Sequence, residues 1–253
     1  MAWADEQVAA VERRTWDDFK AGWEWNRGEH VTILGPTGSG KTFLMTALLD
    51  THPDVVVPSL KPNDETLEER LPEPRWQRVK HWPPPIVRSD RPNWVVLRPS
   101  HKSMEDEFAH QTRVMRYMFK RIYEGPPGAD ESERGRWTIA IPDLSIVLDD
   151  LKLRDKRPDP ADQLSLLYKH GRGMGISLVI DAQTTAWLER LALDQPSHFF
   201  MFRPRDKDRA DRFAEIGNQD KRAVLAALHS LDTEAHEVLY VPTNGNMIIT
   251  VPE

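Results

Sequence analysis

Apolar residues in this chain fall in short unbroken runs separated by amphipathic stretches. Residues 30–34 (HVTIL) read as a buried strand, 42–50 (TFLMTALLD) as the helix after it, and 54–57 (DVVV) as the next strand. Unbroken runs of four or five apolar residues suit strands covered on both faces, as in a parallel sheet between helices. Further strands are expected at 94–97 (WVVL), 137–141, 145–148 (SIVL), 176–181 (ISLVID) and 198–202 (HFFMF). Helices are expected near 65–71 and over 105–123, then around 161–169, 185–193, 206–216 and 219–228. In the longest, Phe108, Val114 or Met115, Met118, Phe119 and Ile122 share one side. Segments 237–241 and 247–251, joined through Asn244 and Gly245, have the signature of a C-terminal β-hairpin. Strands alternating with helices predict an α/β fold: a mostly parallel central sheet flanked by helices.

Two stretches break this rhythm. Residues 1–25 read as an N-terminal helical segment whose Trp3, Trp16, Phe19, Trp23 and Trp25 pack on the core edge. Residues 58–93 form a proline-rich excursion, punctuated by Pro62, Pro72, Pro74, Pro83, Pro84, Pro85 and Pro92. A polar loop is expected over 124–136. With no internal repeat and no long linker, 1–253 reads as a single domain.

Composition narrows the chemistry. The 253 residues are 39% hydrophobic and 29% charged, enough apolar material for a sizeable core. There is no cysteine, which excludes disulfides, thiolate metal sites and a thiol nucleophile. A net charge of −6 argues against coating nucleic acid with a broad basic face, but allows a few basic residues to meet DNA in a pore. The first residues are partly acidic with no long apolar run, so neither a signal peptide nor a membrane span is expected and a cytoplasmic location is.

The most specific chemistry lies between the first strand and its helix. Gly35, Pro36, Thr37, Gly38, Ser39, Gly40, Lys41 and Thr42 (GPTGSGKT) satisfy the phosphate-loop pattern G-x-x-x-x-G-K-[ST]. The glycines let backbone N–H groups turn inward around a β-phosphate, and the following helix directs its positive end at the same anion. Lys41 is placed to reach the β- and γ-phosphates, and the Thr42 hydroxyl to hold Mg²⁺. The expected ligand is Mg-ATP.

Such a loop works with an acid at the end of a neighbouring strand for the metal, and a carboxylate for the attacking water. LSIVLDDL offers Asp149 for Mg²⁺ and Asp150 as the base. IAIPDL offers a rival, Asp143, although Pro142 there occupies the position a ligand would take. Asp150 is one methylene shorter than the glutamate usual in such motors, and misplacing a base by about 1 Å can cost on the order of 10²-fold. Slow turnover, or turnover only with a partner, is therefore expected.

The segment HGRGMGISLVIDAQTTAWL resembles the FtsK/HerA family of RecA-like DNA-pumping ATPases, in which G-R-x-x-G-I opens a strand ending in a glutamine. The matching residues are Gly171, Arg172, Gly175, Ile176 and Gln183. The tail (FFMFRPRDKDRADRFAEIG, then HEVLYV) resembles compact members from phages and mobile elements. The resemblance implies a RecA-like P-loop NTPase core in a ring of five or six copies, moving double-stranded DNA with a portal, capsid or other loading partner. It implies Gln183 as a γ-phosphate sensor and Arg172 as a finger reaching a neighbour's ATP, with Arg203 and Arg205 as alternatives. Departures are Asp150 in place of glutamate and DAQTT in place of A-T-Q-R. A second reading is a nucleotide-gated assembly or secretion ATPase of Zot-like type, which the acidic balance and Asp150 favour.

Overall fold

The computed structural model describes residues 11–52, 54–59, 64–79, 94–97, 104–125, 136–144, 160–183 and 191–253. In chain order the elements are β1 (Glu12–Arg13), α1 (Trp16–Gly22), β2 (Val31–Leu34), α2 (Lys41–Leu49), β3 (Val55–Pro58), α3 (Glu65–Arg70), β4 (Trp76–Val79), β5 (Trp94–Leu97), α4 (Met104–Glu124) and β6 (Thr138–Ile141). There follow α5 (Pro160–His170), a 3₁₀ turn (Arg172–Met174), β7 (Ser177–Ala182), α6 (Leu191–Asp194), β8 (His198–Phe202), α7 (Lys207–Phe213), α8 (Lys221–Ser230), β9 (Val238–Pro242) and β10 (Ile248–Thr250).

The described strands make one sheet in the order β1-β10-β9-β8-β2-β7-β6-β3-β5-β4. From β8 to β4 every pairing is parallel. β9 runs antiparallel to β8 and pairs with β10 in the expected C-terminal hairpin. This is the α/β architecture the apolar runs predict.

Strand alternation sorts the core into two layers, because successive side chains leave opposite faces. Leu34, Leu178, Ile180, Phe199 and Met201 enter one layer, against Met115, Met118, Phe119 and Ile122 of α4 and Leu164 and Leu167 of α5. Val31, Ile33, Val179, Phe200 and Phe202 enter the other, with Leu44, Met45, Leu48 and Leu49 of α2 and Trp16 and Phe19 of α1. All of these are buried, at about 1.5–3 kcal/mol for each large side chain.

Two expectations change. Glu12–Arg13 forms an edge strand parallel to β10 instead of continuing a helix, and α1 starts only at Trp16, where Thr15 accepts a hydrogen bond from Asp18 N–H. The proline-rich excursion also contains a strand, β4, paired with β5 at the far edge of the sheet. An edge suits a strand flanked by prolines, since only one side of it must donate to a neighbour. Residues 145–150 and 184–190, which carry the expected strand at 145–148, Asp149, Asp150 and most of the helix at 185–193, lie outside the described residues. Among the described residues no helix is long and apolar enough to cross a membrane.

Candidate functional site

β2 lies between β7 and β8, and the chain leaves its C-terminal end into the loop 35–40 and then α2. Ligands of open α/β sheets bind in the crevice beyond the carboxyl ends of the strands, where connections depart to either side. The backbone here needs glycine. A Cβ on Gly35 would stand 2.7 Å from Ser39 Oγ and 2.8 Å from Phe202 Cβ. Gly40 caps α2 at φ +98°, in the left-handed region. The resulting turn presents the N-terminal end of a nine-residue helix, buried along most of its length, to the space above the sheet.

Lys41 is buried, with its Nζ donating to Pro36 O at 3.1 Å across the mouth of the loop. Thr42 Oγ1 donates to Asp181 Oδ2 at 3.2 Å. Asp181 belongs to β7, opposite Ile33 of β2 in the ladder, so the register of one strand pair carries it to the first turn of α2. Its other oxygen accepts the Asp143 N–H at 2.8 Å. Asp143 follows β6, the next strand over, and holds the left-handed conformation at φ 54°. Gln183, just beyond β7, donates from Nε2 to Asp143 Oδ2 at 3.4 Å and accepts from Thr37 Oγ1 at 2.9 Å. The loop, two carboxylates and the glutamine thus form one connected network.

Asp181 is fully buried, and burial pushes its carboxyl up to about 6 despite the opposing pull of Lys41 and of the Asp143 and Thr42 hydrogen bonds. A desolvated carboxylate sharing a hydroxyl with the phosphate-loop threonine suits a hard divalent cation, which prefers oxygen ligands and a second negative partner such as phosphate. Thr42 and Asp181 therefore fit Mg²⁺.

Two clefts of similar size flank the loop. One, about 400 Å³, is lined by Lys41, Thr42, Asp143, Asp181 and Gln183, with Thr66, Glu69 and Arg70 of α3 as its outer wall. The other, about 410 Å³, is lined by Phe202, Arg203, Arg205, Thr233, His236 and the back of the loop. There Arg205 Nη2 donates to Thr37 O at 3.1 Å, and His236 Nδ1 lies 3.3 Å from Ser39 O.

Of the residues read from sequence, the structure gathers Lys41, Thr42, Gln183, Arg203 and Arg205 around the loop, together with the rival Asp143. Arg172 is elsewhere. It precedes β7, so it sits at the opposite end of the strands from the loop, about 20 Å away by the rise of a six-residue strand. A groove of about 830 Å³ beside it is lined by Arg27, Tyr123, Glu124, Arg136, Met174 and its flanking glycines. Arg172 therefore cannot serve its own chain's loop. Sequence reasoning passed over Asp181 as the tail of a strand, although an acid ending an apolar run is the same signal that singled out Asp149. Arg70 and His236 carried no local signal.

No protein-family model matches the sequence, and no curated protein matches it. Solved structures do. The genome packaging NTPase B204 from Sulfolobus turreted icosahedral virus 2, in complex with AMPPCP, aligns with TM-score 0.58 at 14% identity over 90% of this chain and 100% of that one. B204 from Sulfolobus turreted icosahedral virus, a DNA-packaging ATPase, aligns with TM-score 0.58 at 17% identity over the same shares. EssC (ATPases 2 and 3) from Geobacillus thermodenitrificans aligns with TM-score 0.50 at 15% identity, over 91% of this chain and 41% of that one. At these identities the likeness is one of fold: this chain has the fold of the B204 packaging NTPases, matched along their whole length.

Proposed function

We propose that this chain binds Mg-ATP on residues 35–42, hydrolyses it, and couples hydrolysis to movement of double-stranded DNA in packaging a viral or mobile-element genome. The observation that carries the reading is the network joining Thr42, Asp181, Asp143, Gln183 and Thr37 around Lys41. A merely structural glycine turn has no use for two buried carboxylates and a buried lysine at its mouth. The fold of B204, a genome packaging NTPase, supports the choice of DNA as cargo.

Loop amides and Lys41 bind the β- and γ-phosphates. Thr42 and Asp181 would hold Mg²⁺, which would supply charge neutralisation to the transferred phosphate. Gln183 orients the attacking water with its amide while anchored to Thr37. The water oxygen bonds to the γ-phosphorus as the bridging P–O bond breaks, giving ADP and phosphate. The water's proton passes to a carboxylate: Asp143 among the described residues, or Asp150 from the sequence pattern, with Asp149 as a further metal ligand.

The working form is a ring of five or six copies, with ATP at subunit boundaries and Arg172 of one copy turned towards the next copy's site. A portal or capsid vertex would load it. DNA is held through phosphates, so binding weakens with salt. The acidic balance of the chain favours a second reading, a nucleotide-gated assembly or secretion ATPase. ATP hydrolysis measured with and without kilobase duplex DNA separates them. Several-fold stimulation that declines with salt is expected; hydrolysis indifferent to DNA at all salt concentrations would leave the secretion reading.

A further inference from the structure

The carboxylate-lined cleft has a wall that the phosphate-loop pattern does not include. Helix α3 lies across the first turn of α2, and three of its residues, Thr66, Glu69 and Arg70, face the cleft. α3 is held firmly. Asp64 caps its N-terminus by accepting from Leu67 N–H, and Leu67 and Leu71 are buried. Arg78 of β4 donates to the carbonyls of Leu71 at 2.6 Å and Leu67 at 3.5 Å, closing the C-terminal end. A side chain on this helix therefore has a fixed origin.

The Arg70 guanidinium carbon sits 3.8 Å from the centroid of the Phe43 ring. Phe43 immediately follows Thr42, so the stacking sets the guanidinium relative to the hydroxyl that meets the metal. Stacking engages the face of the guanidinium and leaves its in-plane N–H donors to point outward. Arg70 makes one long hydrogen bond, donating from Nη2 to Glu253 O at 3.5 Å. Its guanidinium thus borders the cleft that holds Lys41 and Thr42.

The other arginines considered are committed elsewhere. Arg205 serves the back of the loop through Thr37 O. Arg203 donates to Leu231 O at 3.4 Å. Arg172 stands at the opposite end of the strands. Among the described residues, Arg70 is the one arginine lining the cleft that holds Lys41, Thr42, Asp181 and Gln183.

We propose that Arg70 is a catalytic residue supplied by the same chain, a built-in arginine that bonds the γ-phosphate of ATP and stabilises the charge that develops there during hydrolysis. The inference rests on the reading of residues 35–42 as an ATP site. As the bond to water forms, the bridging electron pair goes to the β-phosphate of ADP, and the water's proton, taken first by the carboxylate, ends on the released phosphate. Arg70 stays protonated throughout. Half-buried Arg70 approaches the cleft from its α3 wall and Lys41 from the loop, so the two cations would share the transferred group. Each chain can then complete its own catalytic site, and a neighbour's Arg172 is left to report occupancy or time the cycle.

Three variants of the full chain test this: Arg70→Ala, Arg70→Lys and Lys41→Ala. Arg70→Ala is expected to lower kcat on the order of 10³-fold, to weaken an ATP analogue far more than ADP, and to leave ADP affinity within about twofold. Arg70→Lys keeps charge and stem but not the planar fork, and is expected to fall between. Because the Lys variant preserves packing, it decides the matter if the Ala variant does not fold. Mixing Arg70→Ala with Lys41→Ala chains should restore no hydrolysis, since neither chain carries both residues. Unchanged kcat, equal loss of ATP and ADP affinity, or recovery on mixing would each overturn the proposal. Failure of the wild-type chain to bind ADP or ATP would instead remove the nucleotide reading on which it rests.

Discussion

The two clefts beside the phosphate loop are nearly equal in volume and opposite in character. One gathers Asp143, Asp181 and Glu69 with Lys41 and Arg70. The other gathers Arg203, Arg205 and His236 against the Phe202 ring, with Glu237 already engaged by Arg13 at 3.0 Å. Mg-triphosphate is polarised in the same way: its metal wants carboxylate and hydroxyl oxygens, whereas the α-phosphate and nucleoside want cations and an aromatic face. The difference gives the nucleotide a direction. Under the proposed function the γ-phosphate belongs on the α3 side and the nucleoside on the β8–β9 side, with chemistry confined to the first.

Substitutions can break or sharpen that contrast. Lys41→Ala removes the buried cation at the mouth of the loop and should have the largest effect, lowering affinity for ATP and ADP by on the order of 10³-fold, as read by titration of a fluorescent nucleotide. Asp181→Asn should act only on the acidic side. Hydrolysis is expected to fall about 10²-fold or more in a steady-state phosphate-release assay, with ADP affinity unchanged in the absence of Mg²⁺.

The same substitution has a stability signature. Burial holds the folded-state carboxyl of Asp181 at about 6, well above the ordinary aspartate range. The folded chain therefore binds this proton more tightly than the unfolded chain, and its stability declines as pH rises from about 4 to 6. Above 6 the cost is fully expressed, up to about 3 kcal/mol. Nucleotide-free Asp181→Asn should thus melt higher than wild type at pH 7.5, and the gap should close near pH 4.5.

Gln183→Ala should lower kcat by roughly 10- to 100-fold, the range for losing one hydrogen bond to a charged group, with little change in KM. Arg205→Ala belongs to the other cleft. It should weaken ATP and ADP alike by a few-fold in equilibrium binding and leave kcat nearly untouched. A kcat loss there would mean that the basic side also takes part in chemistry.

Much of this was legible in the chain itself. The glycine loop names its own backbone demands, and WVVL at 94–97 becomes β5 with the boundaries the apolar run marks. Gln183 was reached through resemblance, and its contacts with Thr37 and Asp143 give it a place at the loop. What local pattern could not convey was adjacency. Asp181 matters because β7 inserts beside β2, a pairing between segments nearly 150 residues apart, and the one-residue register decides that its carboxylate faces Thr42. Arg70 matters because α3 folds back on α2, which a hydrophobic pattern over six residues does not specify. β4 was hidden by Pro72 and Pro74 before it, residues that read as loop but are compatible with an edge strand.

The direction of the bound nucleotide is tested most directly by a crystal structure of the chain with Mg²⁺ and a non-hydrolysable ATP analogue. The γ-phosphate is expected between Lys41 and Arg70, within hydrogen-bond reach of Gln183, with the metal on Thr42 and Asp181 and the nucleoside against Phe202 and His236. A triphosphate running the other way, or a metal held without Asp181, would contradict the account.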